Sequence, residues 1–503
     1  MKYKILLMFA MFAVTFNMSA QYHPNVEINT NNIRTHLVGT GTFFDFENRE
    51  NENFGYIVPA SDSTKTIYQH SLWIGGLDED DSLHLAAFRF GQIGEDYFSG
   101  PLRVTDATTD IYGVMDYHHV WKITRTDIEN MIANPSGDIT EDILTWPAHG
   151  NIEDGYAENL APFVDVDGDG EYNPHNGDYP DIDGDVALFC IFNDSYFSHT
   201  ETGGMPLGLE VHCMLYGFNS PGDETLNNTL FMRYWIYNRS DYPLHDVYIG
   251  YFTDFEIGYG HDDYIGCDVE RGYYYGYNGT SMDGDGTSGT FGANPPAQIV
   301  AVLGGPNMPA DGIDNPKFDF DGNQLCDQSI NGTGFGDGII DNERLGLTGF
   351  IPCRNSASPI NSDPTTSEEY YLLLKSMWKN GMNMEYGGDG CPGNEGTVGP
   401  VCRFAFPHDS DPLNWGTNGI MPNGGYNQNG FYWNARTDTN VYPDDFRAIG
   451  ISGPFNFSKD QAHVIDLGFI TVWPTWISDT EFDLNELDAP VDYIKNYFNN
   501  LDK

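Results

Sequence analysis

Basic residues are scarce in this chain of 503 residues, which has 23 lysines and arginines against 74 aspartates and glutamates and a formal net charge of −51. Such a chain repels phosphate backbones and anionic lipid surfaces, which argues against nucleic acids and membrane surfaces as partners. Aromatic residues make up 14% of the sequence, too many for an acidic disordered chain. The sequence therefore indicates an acidic folded protein, long enough for two or three structural units.

The common catalytic signatures are also missing. The sequence has no HExxH motif of zinc proteases, no GxSxG nucleophile turn and no phosphate-binding Walker loop. Their absence favours a binding role over catalysis. Paired carboxylates for glycoside hydrolysis stay open, because among 74 acidic residues some pair will lie at the required separation of roughly 5 to 9 Å by chance.

Long apolar runs are absent after the first twenty residues. Residues 1–20 combine two lysines, a short, mostly apolar run from Ile5 to Phe16 and a small residue, Ala20, at the end. This is the pattern of a cleavable secretory signal, and the run is short for the roughly 20 residues that span a bilayer. We expect cleavage after Ala20 and a mature chain without a transmembrane segment that is secreted, attached to the cell surface or periplasmic.

The chain has seven cysteines. Cys391 and Cys402 flank a loop rich in glycine and proline whose ends can meet at low entropic cost, which predicts a disulfide between them. Cys190, Cys213 and Cys267 lie in apolar, strand-like runs and are typical of buried thiols. The odd number leaves at least one thiol free or paired with another chain.

Runs of β-branched and aromatic residues, separated by turn residues, recur along the chain. Residues 229–237 and 244–252 are two such runs, and their closeness in sequence predicts an antiparallel pair. Other runs cover residues 71–75, 83–90, 185–192, 207–218, 272–277, 297–303 and 463–473. We predict a mainly β protein, with one or more antiparallel β-sandwiches, long acidic loops rich in Gly, Asp and Asn, and a few short helices. The run at 463–473 should pair with strands from the 185–303 region.

Helix signals are few. Capping boxes at Thr126 and Thr366 predict helices that end near Ala133 and Lys379, and Asp488 can cap a helix in the tail. The predicted organisation is a signal peptide at 1–20, a β-rich region at 21–160, a calcium loop and central sandwich at 161–303, a loop-rich insertion with acidic turns and one helix at 304–450, final sandwich strands at 451–486, and a helical tail at 487–503.

The segment from Asp165 to Asn173 places acidic residues at alternate positions and a glycine at the sixth. Such a loop can wrap oxygen atoms around Ca²⁺, which takes six to eight oxygen ligands, and the glycine permits the sharp turn. No helical pattern flanks the loop, which is therefore unlike an EF-hand. We predict a structural Ca²⁺ site with Asp165, Asp167, Asp169, Glu171 and Asp178 as its ligands; a solvated acidic turn is the alternative.

Three further groups of acidic residues are weaker metal candidates. Asp181, Asp183 and Asp185 repeat the alternate spacing and could share the first ion or hold a second one. Two acidic turns farther along could converge on one ion; their residues are Asp311, Asp314, Asp337, Asp341 and Glu343. Otherwise these are ordinary turns.

Several short sequence segments resemble those of a known group of proteins. They cover residues 72–76, 146–150, 160–170, 177–180, 199–204, 263–268, 335–338, 341–344 and 409–412. With these segments in order over about residues 30 to 470, the chain resembles a family of large, mostly uncharacterised exported proteins of the Bacteroidota. Members usually carry a C-terminal sorting domain for type IX secretion, which is not evident here. The resemblance implies export and brings no established activity.

These observations leave two functional hypotheses. The first is an exported, calcium-stabilised cell-surface or secreted protein that binds glycans or partner proteins. The second is an exported hydrolase that acts on polysaccharide through paired carboxylates. The missing catalytic motifs favour the first.

Overall fold

The computed structural model describes residues 23–43, 54–89, 91, 94–285, 289–318, 330–355, 358–422, 430 and 432–501. The expected signal peptide at 1–20 lies outside these residues. Within them, no helix is both long and apolar enough to cross a membrane.

Strands dominate the described residues. The first half of the chain forms β1 (Asn25–Thr30), β2 (Ile33–Val38), β3 (Tyr56–Ile57), β4 (Lys65–Leu77), β5 (Leu83–Ala86), β6 (Phe98–Ser99), β7 (Trp121–Thr124), β8 (Phe163–Val164), β9 (Tyr179–Pro180), β10 (Val186–Asn193), β11 (Leu209–Gly217) and β12 (Thr229–Asn238). The second half forms β13 (Leu244–Phe255), β14 (Asp263–Asp268), β15 (Tyr273–Asn278), β16 (Met282–Asp283), β17 (Gly292–Ala293), β18 (Ala297–Gly304), β19 (Gly349–Arg354), β20 (Glu385–Gly387), β21 (Thr397–Val401), β22 (Phe446–Phe457), β23 (Ala462–Val472), β24 (Trp476–Ser478) and β25 (Glu481–Phe482).

Helices are short and lie between or after the strands. They are α1 (Ile111–Asp116), α2 (Arg125–Ala133), α3 (Glu141–Leu144), α4 (Glu224–Asn227), α5 (Ser367–Leu374) and α6 (Asp488–Asn499). The predicted mainly β class with few short helices is confirmed.

Two large antiparallel sheets form the body of the protein. One has the order β1-β2-β3-β4-β13-β22-β19, with β5 beside β4. The other has the order β14-β15-β18-β23-β12-β11-β10-β6, with β7 beside β10. Small two-stranded sheets, among them β8-β9 and β20-β21, lie outside these two.

The inner faces of the two sheets contact each other in a sandwich-like arrangement. The Tyr56 hydroxyl in the first sheet donates to the carbonyl of Phe469 in the second at 3.0 Å. Tyr274 in the second sheet reaches the carbonyl of Tyr251 in the first at 2.8 Å. Because these tyrosines are fully buried, each hydroxyl needs a partner inside the core, and the opposite sheet supplies it.

The tyrosine-rich strand β15 belongs to this core. Tyr273, Tyr274, Tyr275 and Tyr277 are all buried. This excludes them as an exposed platform for stacking on sugars, the use that their aromatic character could otherwise suggest.

One predicted strand pair is wrong. The runs at 229–237 and 244–252 form β12 and β13, but these strands lie in different sheets. β12 pairs with β11 and β23, whereas β13 pairs with β4 and β22. Residues 239–243 therefore carry the chain from one sheet to the other. Closeness in sequence favours a hairpin, but here both edges of each strand are occupied by other partners.

The predicted pairing of the run at 463–473 with strands from the 185–303 region is confirmed. β23 pairs with β12 and β18, in a register that places Leu467 opposite both Met232 and Val302. The chain between β18 and β22 contributes β19, α5 and the β20-β21 hairpin.

The three predicted helices exist, but their predicted caps and ends hold only in part. In the tail, Leu487 stands at the cap of α6, and Asp488 is the first helical residue and makes no capping hydrogen bond. Thr366 caps α5 by accepting the N–H of Glu369, but the helix ends at Leu374, well before the predicted Lys379. Ser376 has a φ of 55°, which is incompatible with a continued right-handed helix. Helix α2 ends at Ala133 as predicted, although its cap is Thr124 and not Thr126.

Candidate metal centre and ligand cavity

The acidic loop from Asp165 to Asp178 connects β8 to β9, so the register of this small hairpin brings its two ends together. Val164 pairs with Tyr179 directly below the loop. The ring of Tyr172 packs against Phe163 at 5.5 Å, and its hydroxyl donates to the carbonyl of Ile143 at 2.7 Å. These contacts attach the middle of the loop to the rest of the protein.

Three carboxylates converge in this loop. Asp165, Asp167 and Asp178 each offer an oxygen atom, and the three atoms lie within 4.8 Å of one another. Asp178 is fully buried, Asp165 is half-buried and Asp167 is exposed. The group is therefore open to solvent on one side, as an ion that enters and leaves requires.

Backbone N–H groups hold the carboxylates in place. Asp165 accepts from Gly168 at 2.7 Å and from Gly170 at 2.9 Å. Asp178 accepts from Val166 at 2.8 Å and from Asn173 at 2.9 Å. Gly170, the predicted turn glycine, has a φ of 84°, a conformation that other residues rarely adopt.

The three carboxylates lack a basic partner within the described part of the chain. Among the described residues, no Lys, Arg or His forms an ion pair with Asp165, Asp167 or Asp178. Two unit charges about 5 Å apart repel by about 1 kcal/mol in water and by about 3 kcal/mol at an effective dielectric constant near 20. A divalent cation would reverse the sign of this interaction.

Two of the five predicted ligands lie outside the group of three. The Asp169 carboxylate accepts the N–H of Glu171 at 2.9 Å, and both side chains are exposed. Asn176 instead approaches the group, because its Nδ2 donates to Asp167 at 3.0 Å.

The second acidic segment is not brought to the same place. Asp183 forms an ion pair with Arg233 at 2.7 Å, and Asp185 accepts the N–H of Asn219 at 2.8 Å. Asp181 is exposed. The guanidinium of Arg233 therefore already compensates the negative charge of Asp183, which a shared ion would otherwise have to neutralise.

The two later acidic turns do meet each other. The Asp341 carboxylate accepts the N–H groups of Asp311 and Gly312, at 2.7 and 2.8 Å. The Asp314 carboxylate accepts those of Gly336 and Gly338, both at 2.7 Å. Among the described residues, however, these acids do not form a group of three with converging oxygens.

Two further acids of these turns are also engaged in hydrogen bonds. Asp337 accepts from the side chain of Asn342 at 2.8 Å, and Glu343 accepts the N–H of Asn315. The convergence of the two turns is thus achieved by hydrogen bonds from carboxylates to the backbone and to an amide.

The predicted disulfide is absent: Cys391 and Cys402 are both buried free thiols. The prediction assumed a flexible connection, but the β20-β21 hairpin fixes each residue through its own bonds. The Cys402 N–H donates to Met384 at 2.9 Å, whereas the Cys391 carbonyl accepts from the Thr397 hydroxyl at 3.0 Å. Burial raises the pKa of both thiols, which keeps them protonated.

A cavity of about 570 Å³ opens between the loops that flank β14 and β15 and the later segments 436–443 and 480–481. Tyr264, Thr280, Arg436, Thr437 and Glu481 contribute to its lining together with Asp262. An adjoining cavity of about 390 Å³ shares Asp262. Sequence reasoning missed this site, because its residues come from segments that are far apart in the chain.

Arg436 is the cationic group of this cavity. Its guanidinium lies over the rings of Tyr277 and Phe482, at 5.6 and 5.2 Å, and its Nη2 donates to the carbonyl of Phe482 at 3.2 Å. Burial raises the pKa of Asp262. The lining thus combines an aromatic ring, hydroxyls, carboxylates and one fixed guanidinium.

Comparison of the chain with models of known protein families gives no match. A search of curated proteins gives no significant match either.

Proposed function

We propose that the protein is exported and calcium-stabilised, and that it binds a glycan or a partner protein. The observation that carries the calcium part is the convergence of Asp165, Asp167 and Asp178 without a basic partner among the described residues. Oxygen ligands of this kind suit Ca²⁺. The N-terminal signal pattern supports export.

The ligand-binding part rests on the cavity around Asp262 and Arg436. Its volume of about 570 Å³ falls in the range of about 300 to 1,000 Å³ that ligand sites occupy. Hydroxyl, carboxylate and guanidinium groups around one aromatic ring suit a polyhydroxylated ligand, because each can exchange hydrogen bonds with a sugar hydroxyl.

A glycan array followed by calorimetric titration tests this proposal. Arg436→Gln should weaken binding roughly ten- to hundredfold, since a hydrogen bond to a charged group contributes about 1.5 to 3 kcal/mol. Arg103→Gln is the matched control, because Arg103 lies elsewhere in an ion pair with Asp110 at 2.6 Å. Equal affinities for both variants and the wild type would contradict the assignment of the site.

Polysaccharide hydrolysis is a second candidate, favoured by one feature: Asp262 and Glu481 line the same cavity. The same glycans should then be assayed for newly released reducing ends. Turnover that Glu481→Gln abolishes, while binding persists, would identify a hydrolase. Binding without turnover would support the glycan-binding role and argue against the hydrolase.

A further inference from the structure

Asp263 and Asn278 face each other across the β14-β15 pair. The N–H of Gly279 donates to the carbonyl of Asp262 at 2.7 Å. This bond makes Asp263 and Asn278 a non-hydrogen-bonded antiparallel pair, the type in which side chains come closest, with Cβ atoms about 4.5 to 5.5 Å apart.

Each of these two side chains has one buried oxygen without a hydrogen-bond partner among the described residues. Asn278 is 0% exposed, and its Nδ2 donates to the carbonyls of Thr280 and Met282, at 2.8 and 3.2 Å. Those two bonds assign the amide orientation and leave Oδ1 as the orphan. Asp263 is 1% exposed; its Oδ2 accepts the N–H of Ile257 at 2.8 Å, and its Oδ1 has no partner.

Asp262, the residue before Asp263 in the chain, likewise has one engaged and one free carboxylate oxygen. Its Oδ2 accepts the N–H of Gly284 at 3.0 Å, and its Oδ1 is buried without a partner. Asp262, Asp263 and Asn278 thus each contribute one acceptor oxygen for which the described part of the chain supplies no donor. Buried acceptors without donors are unfavourable and indicate a group that the protein atoms alone do not supply.

The surrounding charges increase the need for such a group. The carboxylates of Asp262, Asp283 and Glu256 place further negative charge around Asp263. Asp283 itself accepts the N–H groups of Tyr259, at 2.9 Å, and of Phe291. Among the residues that the structure describes, no basic side chain contacts the free oxygen of Asp263.

We propose that Asp263 and Asn278, with Asp262, bind a divalent cation through their orphan Oδ1 atoms, separately from the Asp165 loop. A set of carboxylate and amide oxygens without nitrogen or sulfur favours a hard cation such as Ca²⁺. Each acid uses one oxygen to hold a backbone N–H and leaves the other for the ion. Asp262 also lines the proposed ligand cavity, so the test of this second site changes only Asp263 and Asn278 within it.

Bound Ca²⁺ should be counted in a background that lacks the first site. The variant Asp165→Asn/Asp167→Asn removes two carboxylates of the acidic loop. After free ion is removed, elemental analysis should find one Ca²⁺ per chain in this background. Adding Asp263→Asn should abolish that ion, and Asn278→Asp should retain it with unchanged or tighter binding in calorimetric titration. Asp337→Asn, an exposed acid of another loop, is the control and should not change the count.

The competing explanation is a proton on Asp263 that is donated to Asn278 Oδ1. In that case the folded background variant would hold no Ca²⁺, and chelator would not change its melting temperature. Either result overturns the proposal. If Asp263→Asn fails to fold, the ion count of the background variant decides the question by itself.

Discussion

Removing one carboxylate from the acidic loop should have opposite effects with and without calcium. Asp167→Asn keeps the shape of the side chain, so an amide oxygen can still accept from Asn176, but it removes one of three negative charges that lie within 4.8 Å. With calcium present, the variant should be less stable than the wild type. In chelator, where repulsion dominates, it should be equal or more stable.

The magnitudes follow from the geometry. At a hundredfold excess of ion over its dissociation constant, binding stabilises the native state by about 2.7 kcal/mol. The substitution removes two of the three carboxylate pairs, each worth about 1 kcal/mol in water, and the exposure of Asp167 reduces this gain. For 503 residues the unfolding entropy is about 1 kcal/mol per kelvin, so the net loss in calcium, after the relieved repulsion is subtracted, is about 1 to 3 °C.

Differential scanning calorimetry of the two proteins, each in calcium and in chelator, measures this crossing of melting temperatures. Asp169→Asn is the matched control, because Asp169 is exposed in the same loop but lies outside the group of three. Identical curves in calcium and chelator for the wild type, with no calcium in elemental analysis, would refute the reasoning and leave a solvated turn.

Three other predictions concern charge, pH and redox state. Arg233→Met should destabilise the protein by about 1.5 to 3 kcal/mol in urea unfolding, because it removes the guanidinium from Asp183 and leaves the buried Asp466 with Arg344 alone. Arg103→Met, in a more exposed pair, should cost less than about 1 kcal/mol, and equal losses would count against this. Burial raises the pKa of Asp268 to about 7. The native state therefore keeps a proton that the unfolded state releases, and this contribution to stability is complete below the unfolded pKa near 4 and is lost as the pH rises toward 7. Asp268→Asn should flatten that part of the profile of melting temperature against pH, and an unchanged slope would exclude this cause. Finally, Cys391 and Cys402 should both be alkylated in denaturant without reductant. A peptide in the mass spectrum that contains both residues linked by a disulfide would contradict this prediction.

The amino-acid sequence determined the local elements well. Alternating β-branched and aromatic residues predicted β10 to β13, β15 and β18, because such side chains suit a pleated, half-buried surface. Thr366 predicted the start of α5, since a cap depends only on residues within one turn. The same locality explains the acidic loop, in which Asp165, Asp167 and Asp178 converge within a single hairpin connection.

The tertiary structure alone decided which strands and charges meet. β12 and β13 separate into different sheets because β23, β4 and β22, which are distant in sequence, occupy the edges at which the two strands could otherwise pair. Arg233 lies 50 positions from Asp183 and compensates it, a pairing that no local spacing encodes. Asp263 and Asn278 become a pair of orphan acceptors only through the register of β14 and β15. Local propensity selects an element, but the balance of buried charge depends on contacts between elements, which local spacing does not specify.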